Sequence, residues 1–256
     1  MLEFNLSKFV RYSDTLLALQ REIEGHEGEV LTQEERLRCA SVVQQIEIFL
    51  VECEIDTGRC FDRIKTKLHN PEAAKTKLSA LILELRNRIS DEINKHLFMY
   101  IPMKQAEYHN HSALFGQDVR NKFPKANKEI TEAGNCYAAG NNTACVFHLM
   151  RAVELGVRPL VKHLKVGLQR PVELCEWGQI VRGLEDAIKK LPKRTSLAAS
   201  ARSEFYSHAL AQFRNFKDAW RNHVAHTRTS YDEHQAMSVM VNAKHFFEHL
   251  ATRLKE

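Results

Sequence analysis

The sequence predicts an all-α protein. Turn residues are scarce, apolar side chains recur at the helical period along nearly the whole chain, and helix-start signals stand at the heads of the periodic runs. Only 10 Gly and 6 Pro are spread over 256 residues, too few to punctuate the short strands of a sandwich or barrel. Hydrophobic residues make up 44% and charged residues 27%, the balance of a chain that folds around a core. The length allows one large domain or two small ones.

The first helix is expected from Asn5 to Glu24, ending at the breaker cluster Gly25-His26-Glu27-Gly28. Thr32 followed by Glu35 forms a capping box and starts a second helix through Leu37, Val43, Ile46 and Leu50, with a continuation past Gly58 to Leu68 left open. Asn70-Pro71-Glu72 combines a cap, a proline and an early acid, the signals of a helix start. Leu78, Leu81, Ile82, Leu85, Ile89 and Ile93 then trace one apolar stripe, with Lys75, Lys77, Arg86, Arg88, Asp91 and Glu92 on the other face. Residues 1–97 therefore read as a long helical hairpin or a three-helix unit. Residues 98–117, with Pro102, the tract His109-Asn110-His111 and Gly116, read as a linker. Three consecutive residues cannot converge as metal ligands, so the His-Asn-His string does not indicate a metal site.

Residues 118–256 read as five further helical pieces, of which the last four or five suit an antiparallel four-helix bundle. The first spans 124–139 and stops at Gly140-Asn141-Asn142. The next, 143–165, places Val146, Met150, Val153, Val157, Leu160 and Leu164 at alternating spacings of four and three, a packing seam. Pro159 is expected to kink or interrupt it. Further helices are expected over 172–190 and from Ala198 to His226. Asp232 caps a last one, in which Ala236, Met240, Ala243, Phe247, Leu250 and Leu254 form another seam.

The net charge of +5 is mildly basic and excludes a strongly acidic surface that would repel a polyanion. Arg158, Lys162, Lys165 and Arg170 lie in a stretch without an acid, and Lys189, Lys190, Lys193 and Arg194 follow. If clustered, they would make a phosphate-tracking surface; a solvated helix face is the alternative. The six Cys contain no C-x-x-C pair and read as small buried residues in a reducing compartment. No secretory signal is expected, and no apolar run reaches the ~18 residues of a membrane span. A cytoplasmic protein without membrane attachment is the expectation.

Lys217-Asp218-Ala219-Trp220-Arg221-Asn222-His223-Val224-Ala225-His226 carries the most chemistry. Near neutral pH an imidazole can accept the proton of a ribose 2′-hydroxyl or donate one to a leaving 5′-oxygen. A guanidinium stabilises the charge that builds on phosphorus. Neither role needs a metal or another cofactor. On a regular helix, positions five apart diverge by about 140°, so Arg221 and His226 meet either because the long Arg221 side chain bends round or because the fraying helix end brings the two together. The simpler alternatives are a surface ion pair of Arg221 with Asp218 or Glu204, and His226 as a C-terminal cap. His245-Phe246-Phe247-Glu248-His249 matches an inverted zinc-peptidase string, but zinc needs a third protein ligand and Phe247 lies on the packing seam.

Arg221-Asn222-x3-His226, between a long helix and a last amphipathic one, resembles the Arg-polar-x(3–5)-His signature of the HEPN superfamily. Thr143 to Gly156 resembles the early core helix of that family, and the likeness covers roughly residues 118–256. The resemblance implies a small all-α bundle, often a ribonuclease of toxin–antitoxin or antiviral defence, with two motifs meeting across a homodimer. It implies Arg221 and His226 as catalytic residues, Asn222 as an orienting or phosphate-contacting one, and Glu154 as support. Arg151, His223 and Lys217 complete the expected substrate-binding set. For Glu154, an ion pair with Arg151 or Arg158 on the same helix is the alternative. The expected function is metal-independent endoribonuclease activity on RNA, with an antitoxin or defence-system protein as a further partner. A catalytically silent helical module that binds nucleotide, RNA or protein is the alternative, and a purely structural interaction protein a third.

Overall fold

The computed structural model describes residues 4–26, 28–191, 197–221 and 230–256, with positions 220 and 221 described through their backbone alone. Among the described residues the chain is helical and forms no strand; an isolated antiparallel bridge joins Val30 and Ala74. No helix there is long and apolar enough to cross a membrane. The chain divides into two units, Met1–Phe98 and Met99–Glu256.

The first unit holds α1 (Leu6–Glu22), α2 (Gln33–Glu52), α3 (Cys60–His69) and α4 (Lys75–Ile93). The start signals of α1 and α2 act as the sequence predicts. Asn5 Oδ1 accepts from the Lys8 amide at 2.9 Å. The Thr32 hydroxyl accepts from the Glu35 amide, while the Glu35 carboxylate accepts from the Thr32 amide at 2.7 Å. Among its described residues this unit has four helices rather than a hairpin or three. After α2 the backbone turns left-handed at Glu54 (φ 55) and Gly58 (φ 58). The Ile55 amide closes the turn on the Leu50 carbonyl at 2.9 Å, the bond of a Schellman ending.

The helix start expected at Asn70-Pro71-Glu72 falls later, at Lys75. The Leu31 amide donates to the Ala73 carbonyl at 3.0 Å, and the Lys75 amide to the Glu29 carbonyl at 2.9 Å. These bonds draw the stretch before Lys75 into the bridge, while Asn70 terminates α3. The α4 stripe is buried as its spacing predicts: Leu78, Ile82 and Leu85 are each 0% exposed and pack with Leu19, Ile46 and Ile64.

The second unit comprises α5 (Met103–Ala106), α6 (Gln117–Lys122), α7 (Pro124–Ala138), α8 (Asn142–His163), α9 (Trp177–Lys189), α10 (Leu197–Phe216) and α11 (Glu233–Ala251). A 3₁₀ turn at Val172–Leu174 precedes α9, and a π turn at Lys217–Arg221 follows α10. Residues 99–117, expected as part of a linker, belong to this unit. Phe115 is fully buried in its core, Tyr108 packs edge-on against Tyr137 at 4.8 Å, and the Asn110 amide donates to Asn135 Oδ1 at 2.8 Å. Two large aromatic side chains with apolar area to bury outweigh the local Pro and Gly.

Helix α8 is the centre of this unit and packs against α7, α9, α10 and α11. It runs through Pro159 without interruption, although Pro159 offers no amide to the Leu155 carbonyl. Pro159 is itself buried, as are its neighbours Val157 and Leu160, so the surrounding helices hold the turn together. Gly156 lets α11 approach: a β-carbon there would lie 2.8 Å from the Phe247 ring. The last helix opens at Asp232, whose carboxylate accepts from the Gln235 amide at 2.8 Å, as its sequence predicts.

Two substitutions test these local arguments by chemical denaturation. Glu54→Gly is expected to stabilise the first unit by about 0.5–1 kcal/mol, because Gly adopts positive φ without the cost a β-carbon brings. Gly156→Ala is expected to destabilise the second by about 1–3 kcal/mol through overpacking on Phe247, despite alanine's better helix propensity.

Candidate functional site

The Arg-Asn-x3-His string begins where α10 changes its winding. The α-helix ends at Phe216 and the next five residues, Lys217–Arg221, form a π turn, a wider coil that is rare and concentrated at functional sites. Arg221 closes that turn with its backbone. The Arg221 side chain, and Asn222, His223 and His226 entirely, lie outside the described residues. At the start of the π turn, the Lys217 ammonium pairs with Asp218 at 2.5 Å.

The other expected residues lie on α8. Glu154 pairs with neither Arg151 nor Arg158; its Oε1 accepts from the indole Nε1 of Trp177 at 2.6 Å. The Trp177 ring stacks on Phe213 with centroids 4.7 Å apart, so Glu154 ties α8 to the α9–α10 layer. Arg151 Nη2 donates to Glu129 Oε1 at 2.8 Å, and His148 Nδ1 lies 2.8 Å from Glu129 Oε2. One carboxylate of α7 therefore orients a guanidinium and an imidazole on α8. The exposed Phe147 ring lies beside them, with Arg151 5.9 Å from its centre. Nothing in the sequence marks Glu129 or His148 as part of a site. The pair 148 and 151 sits at helical spacing, but its organiser lies on another helix, and no local signal links them.

Burial pulls the Glu129 carboxyl upward, and the hydrogen bonds from Arg151 and His148 more than offset that pull, so it titrates below its ordinary value of 4.5. The zinc-type string takes a packing role. Phe246 and Phe247 are fully buried, and His249 Nε2 lies 2.9 Å from the Phe205 carbonyl while its ring stacks on Phe205. Burial lowers the His249 pKa below 6.5. Among the described residues no three His, Cys, Asp or Glu side chains converge in a way that would hold a metal ion.

Of the basic stretches, Arg158, Lys162 and Lys165 line one cleft of about 850 Å³ in the second unit, together with Lys125, Arg253 and Lys255. Lys189 instead pairs with Asp186 at 3.7 Å, and Lys193 and Arg194 lie outside the described residues. Compared with protein families, curated proteins and solved structures, the chain matches no family model, no curated protein and no solved structure at a significant level.

Glu129→Gln tests the α7–α8 carboxylate. The Glu129 carboxyl is held below its unfolded value, so its contribution to stability is full above about pH 4.5 and disappears as pH falls through the folded value. The variant is expected to be less stable at pH 7 by no more than about 1 kcal/mol, given a partner that is half exposed. The gap to wild type should narrow as pH falls from 7 to 3, read from thermal unfolding at both pH values.

Proposed function

We propose that the chain is a metal-independent endoribonuclease of the HEPN type, in which His226 acts as the acid–base group and Arg221 stabilises the phosphorane-like transition state. Asn222 orients the phosphate, and the substrate is RNA. A second copy of the chain completes the site, as in the family that the motif resembles, and the setting is a bacterial toxin or phage-defence system with a dedicated partner protein. The π turn at Lys217–Arg221 carries this reading. A π turn is rare and concentrated at functional sites, and this one ends on the first residue of the motif. The six cations lining one cleft add a means of holding a polyanion.

A second reading, a helical module that binds RNA or a nucleotide without cutting it, draws on α8. Glu154 is engaged by Trp177 and Arg151 by Glu129, so two groups expected to serve the substrate already serve the fold.

Purified protein incubated with total RNA in excess chelator separates the two. Under the ribonuclease reading, cleavage proceeds and leaves 2′,3′-cyclic phosphate ends. It falls by at least ~10²-fold in both Arg221→Ala and His226→Ala, the scale on which acid–base and charge-stabilising groups act, with unchanged circular dichroism. Retained RNA binding without cleavage in wild type establishes the silent module instead.

A further inference from the structure

The cleft of about 850 Å³ is bounded by the C-terminal half of α8, the 3₁₀ turn and the residues after α11. Among the described residues that line it, the six Lys and Arg side chains stand with the side-chain carboxylates of Glu173 and Glu256. Both acids are engaged. Glu173 lies 3.4 Å from Arg158, and the Glu256 carboxylate accepts from the Lys125 and Ala126 amides at the head of α7, each at 2.9 Å. Lys162, Lys165 and Lys255 are exposed, and no ion pair of theirs occurs among the described residues. The floor is apolar, built from Leu155, Pro159, Val172 and Leu254.

Two further features define the ligand. The lining contains no Phe, Tyr or Trp, and its one ring, the His163 imidazole, already lies against Tyr206 at 6.0 Å, so bases find little ring surface on which to stack. Lys165 holds φ 50 at the end of α8, where the Val166 amide closes back on the Val161 carbonyl at 3.0 Å. That helix ending favours glycine, and a lysine there takes a strained backbone while adding a charge to the rim.

We infer that this cleft is a phosphate-reading, base-indifferent site for a short run of single-stranded nucleic acid, held by Arg158, Lys162, Lys165 and Lys255 along its backbone. The choice of RNA as the natural strand rests on the ribonuclease reading; the binding itself does not, because a strand that cannot be cleaved occupies the cleft equally well. Affinity comes from counterion release, so it is steeply salt-dependent and insensitive to sequence.

The test is fluorescence anisotropy of the full chain with labelled 2′-O-methyl RNA strands of differing sequence. About four neutralised phosphates give a slope of log affinity against log salt near −3, at about 0.7 per phosphate for single strands. Lys162→Glu combined with Lys255→Glu is expected to weaken binding by about tenfold or more and to flatten that slope, whereas Lys77→Glu on α4 leaves both unchanged. Glu173→Gln, which frees Arg158, is expected to tighten binding several-fold, a gain that misfolding cannot imitate. Lys165→Gly should raise the unfolding midpoint yet weaken binding.

Equal loss in Lys77→Glu, no gain in Glu173→Gln, or strong discrimination between sequences overturns the inference. So does displacement of the strand by ATP at stoichiometric concentration, which would mark a mononucleotide pocket. Tight binding without any cleavage leaves the inference standing and removes the ribonuclease reading; cleavage that is unaffected by the double charge reversal, alongside unaltered binding, does the opposite.

Discussion

The burial of α8 is the constraint on which the second unit depends. Half of its 22 residues are buried, from Cys145 to Val161, and four other helices cover it. Such coverage leaves the helix one strip on which polar side chains can stand. His148, Arg151, Leu155, Arg158 and Lys162 follow one another at spacings of three and four, and this strip is that face. The packing that stabilises the unit thereby decides where its polar chemistry can lie, and the Gly156–Phe247 contact sets how closely the opposite side is sealed.

Along the strip the balance of charge changes. In its first half the Glu129 carboxylate takes up Arg151 and His148 together. In its second half Glu173 answers Arg158 at 3.4 Å, while Lys162 and Lys165 face the cleft. A neutralised end and a positive end of one helix result from which neighbours bring a carboxylate within reach. The mild net charge of the chain, +5, thus becomes a local excess without any single dense basic run.

Glu154 illustrates how tertiary structure reassigns a side chain. Its neighbours in sequence, Arg151 and Arg158, stand one helical turn away on either side and would satisfy it on an isolated helix. In the folded unit both arginines have partners on other elements, and Glu154 takes the Trp177 indole N–H at 2.6 Å. A half-buried carboxylate accepting a short hydrogen bond from a stacked indole fixes α9 and α10 against α8, a use invisible in a helical-wheel argument.

The sequence by itself determined what depends on local periodicity and capping: the all-α class, the Asn5, Thr32–Glu35 and Asp232 helix starts, and the buried stripes of α4, α8 and α11. These follow from contacts within a turn or from a repeat along one helix, both written in neighbouring residues. The string Arg221-Asn222-x3-His226 was legible as a string, and its three named residues lie, by side chain, outside the described residues. Tertiary structure alone decided the later start of α4, the recruitment of Tyr108 and Phe115 into the core, the continuity of α8 through Pro159, and the meeting of Glu129 with His148 and Arg151. Each of these turns on groups brought together from distant parts of the chain, where a backbone bridge, an aromatic surface or a carboxylate outweighs the local preference, and no spacing in the sequence encodes that distance.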